Sequence, residues 1–390
     1  MTDLLDANWS YPTTMRVGPG RVQELSTLCK SIAIKSPLLV TDPGLSKLDM
    51  TKQIIADVIS GGLAIQIFSN IKPNPTNDNI EDGILAYHQG QHDGVIAFGG
   101  GSAMDAAKAI ALMCHQTGTL WDYQDVGDNW LSVNAKVIAP VIAIPTTAGT
   151  GSEVGRASVI TDPIARVKKV IFHPNMLPKL VILDPELTTG LPANITAATG
   201  MDALSHNLEA YCALGYHPMA DGIAMEGMAL IKQYLPRVYQ NGHDVHARTQ
   251  MLVASSMGAT AFQKGLGAMH ALSHPLGAIY DVHHGRLNAI LMPYILQANR
   301  PIIEASIDSL AHYLDIDHGF EGFLTWILRL RESLHIEHTL AEVGIGTSQV
   351  IQIATMATED AASLTNPIRF TIAQYQTILT AAIKGDLESL

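Results

Sequence analysis

The chain contains little cysteine, little charge and few aromatic side chains. Of its 390 residues three are cysteines, while 15% are charged and 6% are aromatic. The cysteines, Cys29, Cys114 and Cys212, stand too far apart for a CxxC metal site or for the disulfide framework of a small secreted domain. Few, widely spaced cysteines are typical of proteins from reducing compartments. We therefore expect a cytoplasmic protein.

Long hydrophobic runs and an excess of basic residues are also missing. The longest apolar stretches, such as residues 137–145, are far shorter than the roughly 20 residues that cross a membrane as a helix. The first ten residues, MTDLLDANWS, lack the basic start and apolar core of a signal peptide. The formal net charge of -12 argues against a nucleic-acid partner, because such proteins carry a basic face. These features favour a globular enzyme or binding protein.

The first half of the chain has the alternating pattern of an α/β fold. Short apolar segments typical of buried strands alternate with segments of helical periodicity. The strand candidates are residues 37–41, 64–68, 94–98, 137–145, 157–161, 169–172 and 180–183, and the helix candidates are residues 50–60 and 79–89. This alternation predicts a Rossmann-like, doubly wound and mainly parallel sheet. Such sheets bind ligands beyond the carboxyl ends of their strands.

The second half has helical periodicity throughout. Helices are predicted at residues 198–214, 217–235, 246–262, 301–314, 320–334, 348–356 and 371–383. A chain of this length exceeds the usual size of a single core, so two domains are expected. Proline-containing turns between residues 184 and 192 mark the boundary. We therefore predict an α/β dinucleotide-binding domain over residues 1–187, an all-α domain over residues 188–390, and a ligand site in the cleft between them.

One predicted strand ends in a glycine loop that leads directly into a helix. Gly99, Gly100, Gly101 and Ser102 precede the helix-favouring stretch 103–111. Glycines let a ligand approach the backbone closely, and a helix N-terminus offers N–H groups and a positive dipole end to a pyrophosphate. The loop is not a GxGxxG fingerprint, and a flexible glycine turn is the alternative. A second loop, residues 145–153 at the end of another predicted strand, also combines glycine with small hydroxyl residues, which favours the nucleotide interpretation.

Asp42 follows the first predicted strand, where an acid can recognise a nucleotide. Its carboxylate would accept hydrogen bonds from the adenosine ribose hydroxyls and would repel a 2′-phosphate, which favours NAD over NADP. The alternative is that Asp42 only shapes the turn that it forms with Pro43 and Gly44.

An acid and several histidines recur at helical spacing between residues 200 and 285. Asp202 and His206 stand four residues apart, as do His270 and His274, so each pair can share one face of a helix. His284 stands at a glycine turn. Three imidazoles and one carboxylate, without a thiolate, suit a divalent metal of borderline hardness. A lone histidine in an apolar helix is more often a hydrogen-bonded core residue, and only the joint pattern supports a metal site.

Together these motifs resemble those of the iron-containing (group III) alcohol dehydrogenases. The matching segments, in the order of that family, are residues 99–102 with Asp105, residues 146–153, Asp184-Pro185, residues 200–203 with His206, residues 270–278, His284-Gly285 and Thr365-Asn366-Pro367. The resemblance covers most of the chain. The set is highly specific, although no single motif would be.

The resemblance implies a role for each candidate residue of the site. The metal ligands would be Asp202, His206, His270 and His284. His274 would lie near the substrate and the nicotinamide and relay protons. The implied cofactor-binding residues are Asp42, Asn74, Gly99, Gly100, Gly101, Ser102, Asp105, Thr146, Thr147, Ser152 and Leu187.

The implied function is that of an NAD-dependent, divalent-metal-dependent alcohol dehydrogenase or aldehyde reductase. Hydride would pass between the nicotinamide and a small alcohol or carbonyl compound coordinated by the metal. Fe2+ is the expected metal, although Zn2+ suits the same ligands and the affinity order favours it. We expect small-molecule substrates, no nucleic-acid or membrane partner, and a homodimer or larger homo-oligomer, as is common among similar enzymes.

Three alternative functions are compatible with the sequence. The first is a related enzyme that combines NAD with a metal, such as a glycerol dehydrogenase or dehydroquinate synthase. The second is a metallohydrolase in which the glycine loop is incidental, and the third is an inactive metal- or nucleotide-binding protein. Candidate substrate-pocket positions are Gly155, Arg156, Phe262 and the segment around Leu364. Arg156 would favour an anionic substrate if it faced the pocket, and an ordinary surface arginine is the simpler interpretation.

Overall fold

The computed structural model describes the backbone of residues 7–9 and all of residues 13–165 and 167–390. The chain forms two compact units. Unit 1 comprises the residues up to 147 together with residues 151–190, and unit 2 comprises residues 148–150 and 191–390. The main division falls after residue 190, where the sequence indicated residue 187, and the short segment 148–150 belongs to unit 2. Most of the N-terminal segment that was compared with a signal peptide lies outside the described residues.

Unit 1 is built on a twisted, mainly parallel sheet with helices. Its strands are β1 (Ala7–Trp9), β2 (Thr14–Val17), β3 (Pro37–Val40), β4 (Gln66–Phe68), β5 (Gly94–Gly99), β6 (Val141–Pro145), β7 (Ala157–Asp162), β8 (Val167–Phe172) and β9 (Leu180–Leu183). The main sheet has the order β1-β2-β9-β6-β5-β3-β4. Its neighbouring strands are parallel except β1, which runs antiparallel to β2. β3, β5, β6 and β9 are buried along their whole length, as in sheets covered on both faces.

Two of the predicted strands do not join this sheet. β7 and β8 pair with each other as a separate antiparallel hairpin. Along β7 buried and half-buried residues alternate, so only one of its faces is covered. Alternation of this kind is typical of a half-exposed antiparallel strand, whereas the central parallel strands read as continuous apolar runs.

The helices of unit 1 connect these strands. They are α1 (Leu25–Ser31), α2 (Asp49–Ser60), α3 (Asn77–Gln89) and α4 (Gly101–Met113). Side chains of α1 and α2 pack with those of the sheet in an apolar core that includes Leu39, Ile96, Ile142 and Ile182. The alanine-rich α4 is buried over most of its length and starts directly at the end of β5. It therefore holds the glycine loop in a fixed position.

Unit 2 is helical. Its helices are α5 (Ala193–Cys212), α6 (Pro218–Gln240), α7 (Val245–Ala261), α8 (Ala268–Tyr280), α9 (His284–Tyr313), α10 (Gly319–Ser333), α11 (Val350–Glu359) and α12 (Ile372–Lys384). α5 is buried from Thr196 to Ala210 and packs against α6, α7 and α9. The predicted order, an α/β unit with a mainly parallel sheet followed by a helical unit, is confirmed. No helix within the described residues is long and apolar enough to span a membrane.

α9 begins well before its predicted start. The sequence indicated a helix from residue 301 by its periodicity, and proline is favoured in the first turn of a helix but disrupts its interior. In the structure α9 starts at His284 and includes both Pro293 and Pro301. Its first half is almost wholly buried in the core of unit 2. We infer that this burial offsets the backbone hydrogen bonds that the prolines remove.

Candidate functional site

The predicted phosphate loop lies between β5 and α4. Gly99 has a φ of 146°, which L side chains rarely adopt, and a Cβ there would lie 2.8 Å from the Cβ of Ala103. Gly100 is the N-cap of α4, and Gly101 and Ser102 begin its first turn. Within the described chain no side chain caps this end of the helix. Its first N–H groups and the positive end of its dipole are therefore suited to an anionic ligand.

The second predicted loop lies beside the first. Thr146 and Thr147 follow β6, which pairs with β5. The Thr146 N–H donates to the Gly99 carbonyl oxygen at 3.0 Å. A Cβ on Gly100 would lie 3.3 Å from the Thr147 hydroxyl oxygen. The two loops thus meet at the carboxyl ends of neighbouring parallel strands, which is where α/β sheets bind ligands.

Asp105 and Ser152, two of the predicted cofactor contacts, bind each other. The Ser152 hydroxyl donates to Asp105 Oδ1 at 2.6 Å, and the Val159 N–H donates to Asp105 Oδ2 at 3.0 Å. Lys108 Nζ lies 3.3 Å from Asp105 Oδ1 and donates to the Ser152 carbonyl at 3.0 Å. Burial lowers the pKa of Lys108, while Asp105 acts in the opposite direction. These groups fasten the second loop to α4, and direct contact of Asp105 or Ser152 with a cofactor stays a prediction.

The remaining predicted cofactor contacts, Asp42, Asn74 and Leu187, differ in their structural surroundings. Asp42 Oδ1 accepts from the N–H groups of Gly44 at 2.8 Å and Leu45 at 3.0 Å, so Asp42 does shape its turn. This leaves Oδ2 of a half-buried carboxylate for other partners. Asn74 has a φ of 53°, a left-handed conformation that asparagine tolerates. Leu187 is 8% exposed and belongs to the apolar core of unit 1.

The structure brings the four predicted metal ligands together in unit 2. Asp202 and His206 lie on α5, His270 lies on α8, and His284 is the first residue of α9. One potential ligand atom from each of the four lies within 4.8 Å of the others. The ligand cluster consists of these four residues. Asp202, His206 and His270 are buried, and His284 is partly exposed.

Gly285 explains how α9 comes close enough to α5. A Cβ on Gly285 would lie 2.2 Å from the carbonyl oxygen of Ala198 and 2.9 Å from the Cβ of Asp202. Only a residue without a side chain fits this contact between the two helices. The His-Gly pair at residues 284–285 therefore combines a potential ligand with the close approach that positions it.

Two imidazoles of the ligand cluster are oriented through Nδ1. His206 Nδ1 lies 3.2 Å from the carbonyl oxygen of Gly149, which can only accept a hydrogen bond. His284 Nδ1 lies 3.2 Å from the hydroxyl oxygen of Ser273, which donates its own proton to the His270 carbonyl at 3.2 Å. In both rings Nδ1 therefore acts as a donor, and Nε2 is the nitrogen suited to bind a cation.

His270 is oriented by a buried carboxylate. Its Nδ1 lies 2.6 Å from Glu209 Oε2, and the same carboxylate accepts from the N–H groups of Gly267 at 2.8 Å and Met269 at 2.7 Å. Burial raises the pKa of Glu209 to about 7, although the two backbone N–H groups lower it. A carboxylate behind a histidine fixes the ring and strengthens Nε2 as a donor to a metal.

The charge of the ligand cluster suits a cation. Asp202 is 3% exposed, and in the described part of the chain no lysine or arginine lies within ion-pair distance of it. Burial holds the pKa of His270 well below its ordinary value, and the neighbouring His206 and His274 lower it further. His270 is therefore neutral near pH 7, as a metal ligand must be. A buried carboxylate beside a neutral imidazole is stabilised by a bound cation.

His274 does not belong to the ligand cluster but lies beside it. Its ring stacks on that of His284, with the centroids 5.5 Å apart. Its Nδ1 lies 2.8 Å from Asp360 Oδ2. Burial alone would raise the pKa of Asp360, but His274 and the N–H of Ala362 outweigh it and hold the pKa below its ordinary value. Asp360 is thus an ionised acceptor for the N–H at Nδ1 of His274.

Of the predicted substrate-pocket positions, Gly155 and Arg156 lie in unit 1, and Phe262 and Leu364 lie in unit 2. The guanidinium carbon of Arg156 lies 5.8 Å from the ring centroid of Phe172, and the side chain is exposed, which agrees with an ordinary surface arginine. The Phe262 ring lies 5.2 Å from that of His206 and is the candidate that contacts the ligand cluster. Leu364 is 60% exposed.

Three residues around the ligand cluster were not identified from the sequence. Glu209 follows His206 by three positions on α5, and Asn288 follows His284 by four on α9, so helical spacing could have found both. Asp360 stands 86 positions after His274, and only the tertiary structure brings these two together.

Comparison with known proteins agrees with this geometry. The family model described as iron-containing alcohol dehydrogenase matches residues 12–185, and that of the C-terminal part of the Fe-containing alcohol dehydrogenase family matches residues 196–383. An NAD-dependent methanol dehydrogenase from Bacillus methanolicus is 35% identical over 387 residues, which cover 96% of this chain and 100% of that protein. A 4-hydroxybutyrate dehydrogenase from Cupriavidus necator is 42% identical over 295 residues, which cover 74% of this chain and 76% of that protein.

Solved structures show the same likeness. The crystal structure of a 1,3-propanediol oxidoreductase superposes with a TM-score of 0.90 at 31% identity and covers 98% of this chain and 100% of its own. The family matches span both units, and the relatives exceed 30% identity along nearly the whole chain. The chain therefore belongs to the iron-containing alcohol dehydrogenase family and is an oxidoreductase that acts on CH–OH groups, as its motifs indicated.

Proposed function

We propose that this enzyme interconverts a small alcohol and its carbonyl product, with NAD bound by unit 1 and Fe2+ held by the ligand cluster of unit 2. The observation that carries the proposal is the orientation of the cluster. His206, His270 and His284 each have Nδ1 engaged, and one donor atom from each lies within 4.8 Å of the others and of a donor atom of Asp202. An arrangement made only for packing would not need three imidazoles, each held through Nδ1, gathered around a buried carboxylate.

The donor set fits a divalent cation of borderline hardness. Three imidazoles and one carboxylate would hold Fe2+ and Zn2+ alike. The metal supplies positive charge that stabilises the negative charge developing on the substrate oxygen, and the nicotinamide supplies the hydride acceptor or donor. Which of the two metals supports turnover is decided by reconstitution with each.

The glycine loop of unit 1 fits a pyrophosphate. Gly99 and Gly100 lack the side chains that would block the start of α4, and the first N–H groups of this helix face an anion favourably. Asp42 retains one carboxylate oxygen for a ribose hydroxyl, which favours NAD over NADP. The roles of Asn74 and Leu187 follow from the family resemblance alone.

His274 serves as the proton relay in this proposal. Asp360 holds the proton of His274 on Nδ1, so Nε2 accepts the proton released when the alcohol is oxidised and returns it in the reverse direction. The burial of Asp202, His206 and His270 excludes bulk water from the cluster, which strengthens the electrostatic interactions there.

Short primary alcohols are the proposed substrate class. Relatives are named for methanol, 4-hydroxybutyrate and 1,3-propanediol, all of which carry a primary hydroxyl group. A panel of alcohols, diols and hydroxy acids, followed by NADH absorbance after reconstitution with Fe2+ or Zn2+, identifies the preferred one. We further propose that the enzyme is cytoplasmic. We also propose that it forms a homodimer or larger homo-oligomer, and light scattering on the purified protein measures its oligomeric state.

Replacing His270 with alanine tests the function. We expect His270→Ala to lose bound metal and turnover while NADH still binds, because His270 lies in unit 2 and the glycine loop of residues 99–102 lies in unit 1. His312→Ala, which changes an exposed histidine of α9, is the matched control and should retain both bound metal and turnover. Metal content, NADH fluorescence and turnover are measured on each protein. Full metal content and activity in His270→Ala would refute the ligand role.

The metallohydrolase alternative makes the opposite prediction for the nucleotide. If the glycine loop were incidental, NADH would not quench the protein fluorescence of the wild-type enzyme, and no alcohol of the panel would reduce NAD. Saturable quenching by NADH excludes this alternative.

A further inference from the structure

Asn288 lies within the ligand cluster, although no role in the site has been assigned to it. It follows His284 by four residues on α9, so both point to the same face of the helix. The side chain is fully buried. Its Nδ2 lies 2.9 Å from Asp202 Oδ1, 3.2 Å from His284 Nε2 and 3.3 Å from His270 Nε2. The amide therefore touches three of the four potential ligands.

The amide has more acceptors around it than it can satisfy. Besides the three ligand atoms, the hydroxyl oxygen of Ser205 lies 3.3 Å from Asn288 Nδ2. An amide nitrogen carries two hydrogens, so four acceptors compete for two N–H groups. A cation held by His270 and His284 would occupy both Nε2 lone pairs. The two N–H groups would then match the two remaining acceptors, the Asp202 carboxylate and the Ser205 hydroxyl.

The other end of the amide supports a role in the site. Asn288 Oδ1 is buried and has no hydrogen-bond partner among the described residues. A buried, unpaired carbonyl oxygen destabilises a fold, and an apolar side chain of similar size would avoid this cost. A purely structural requirement therefore does not explain an asparagine at this position.

We propose that Asn288 is a positioning residue of the metal site, a proposal that rests on the function given above. Its N–H donates to Asp202 Oδ1 and fixes the rotation of the carboxylate, so that the four ligands hold one geometry. A charge-assisted hydrogen bond to a ligating carboxylate is stronger than a neutral one, and partners of this kind sustain metal affinity. Asn288 itself contributes no charge, so the cluster keeps a single anionic ligand.

The experiment compares Asn288→Leu with the wild type in the full-length enzyme. Leucine has the same branched shape and the same number of side-chain heavy atoms but cannot donate to Asp202. We expect the affinity for Co2+ and Zn2+, measured by chelator competition, to fall by about 10- to 100-fold. The absorption spectrum of bound Co2+ should change, because the carboxylate can rotate. The midpoint of thermal unfolding of the metal-free protein should change little, because the loss of the unpaired carbonyl oxygen offsets the closer contact of a methyl group with Asp202 Oδ1, and the NADH affinity should be unchanged.

Two further variants complete the test. Gln297→Leu changes a half-buried amide on the same helix and should leave the Co2+ affinity and spectrum unchanged. Asn288→Asp should also alter the Co2+ spectrum, because a second carboxylate beside Asp202 changes the ligand set.

The outcomes separate the positioning role from the function itself. Wild-type Co2+ affinity and spectrum in Asn288→Leu would overturn the proposal. A lower unfolding midpoint of the metal-free protein together with an unchanged Co2+ spectrum would also overturn it, because that result describes a structural residue. If the wild type and His270→Ala bound Co2+ equally weakly, the proposed function would fail instead.

Discussion

Replacing Gly285 with alanine tests whether the close contact of α9 with α5 sets the geometry of the ligand cluster. The new Cβ would lie 2.2 Å from the carbonyl oxygen of Ala198 and 2.9 Å from the Cβ of Asp202. Carbon and oxygen atoms approach to about 3.3 Å, so the helices must separate by about 1 Å. Neither contacting atom can rotate away, because one belongs to the backbone and the other is fixed to it.

The magnitude follows from this clash. Overpacking of a core costs about 1–3 kcal/mol, and alanine recovers up to about 1 kcal/mol relative to glycine within a helix. We expect the free energy of unfolding to fall by about 1–2 kcal/mol. Metal ligands tolerate distance errors of only about 0.2 Å, so a separation of about 1 Å between Asp202 and His284 should lower the metal affinity at least about 100-fold.

Urea unfolding and Co2+ titration measure the two effects. The matched control is Gly222→Ala on α6, where an added Cβ has no heavy atom within 4 Å. This control should be stabilised by about 0.5–1 kcal/mol, because alanine loses less conformational entropy in a helix. If Gly285→Ala were as stable as the control and bound Co2+ like the wild type, the contact between α5 and α9 would not position the cluster.

Two further changes test single contacts. Glu209→Gln should lower the metal affinity about 10- to 100-fold and destabilise the fold by about 1–3 kcal/mol, because an amide cannot accept all three hydrogen bonds around His270; unchanged Co2+ binding would contradict the role of Glu209. Asp42→Gly should raise the preference for NADPH over NADH about fivefold, as expected of about 1 kcal/mol of lost repulsion. Asp42→Asn, which keeps the acceptor for Gly44 and Leu45, should do the same, and an unchanged ratio of kcat/KM in both variants would argue against the ribose role.

Local patterns in the sequence predicted the architecture well. Continuous apolar runs became the parallel strands of unit 1, because such strands are covered on both faces. The helical stretches of unit 2 were found by their periodicity, although prolines hid the first half of α9. The hairpin of β7 and β8 was not separated from the sheet, because a short strand candidate does not reveal its pairing partner.

For the ligand cluster too, local spacing predicted some features of single residues, and only the tertiary structure decided others. Helical spacing alone determined that Asp202 and His206 share a face, and the glycine loop after an apolar strand indicated an anion site. Spacing treated His270 and His274 as equivalent, and only the packing of α8 turned His270 toward the cluster and His274 toward Asp360.

The physical reason lies in the range of the interactions. Helix and strand formation depends on neighbouring residues, so the sequence by itself determined which side chains point the same way along each element. The distances between elements depend on how side chains and glycines pack across helix contacts that link residues far apart in the chain. Only the tertiary structure therefore decided that Gly285 brings α9 against α5, that Glu209 stands behind His270, and that the Asn288 amide reaches three ligands at once.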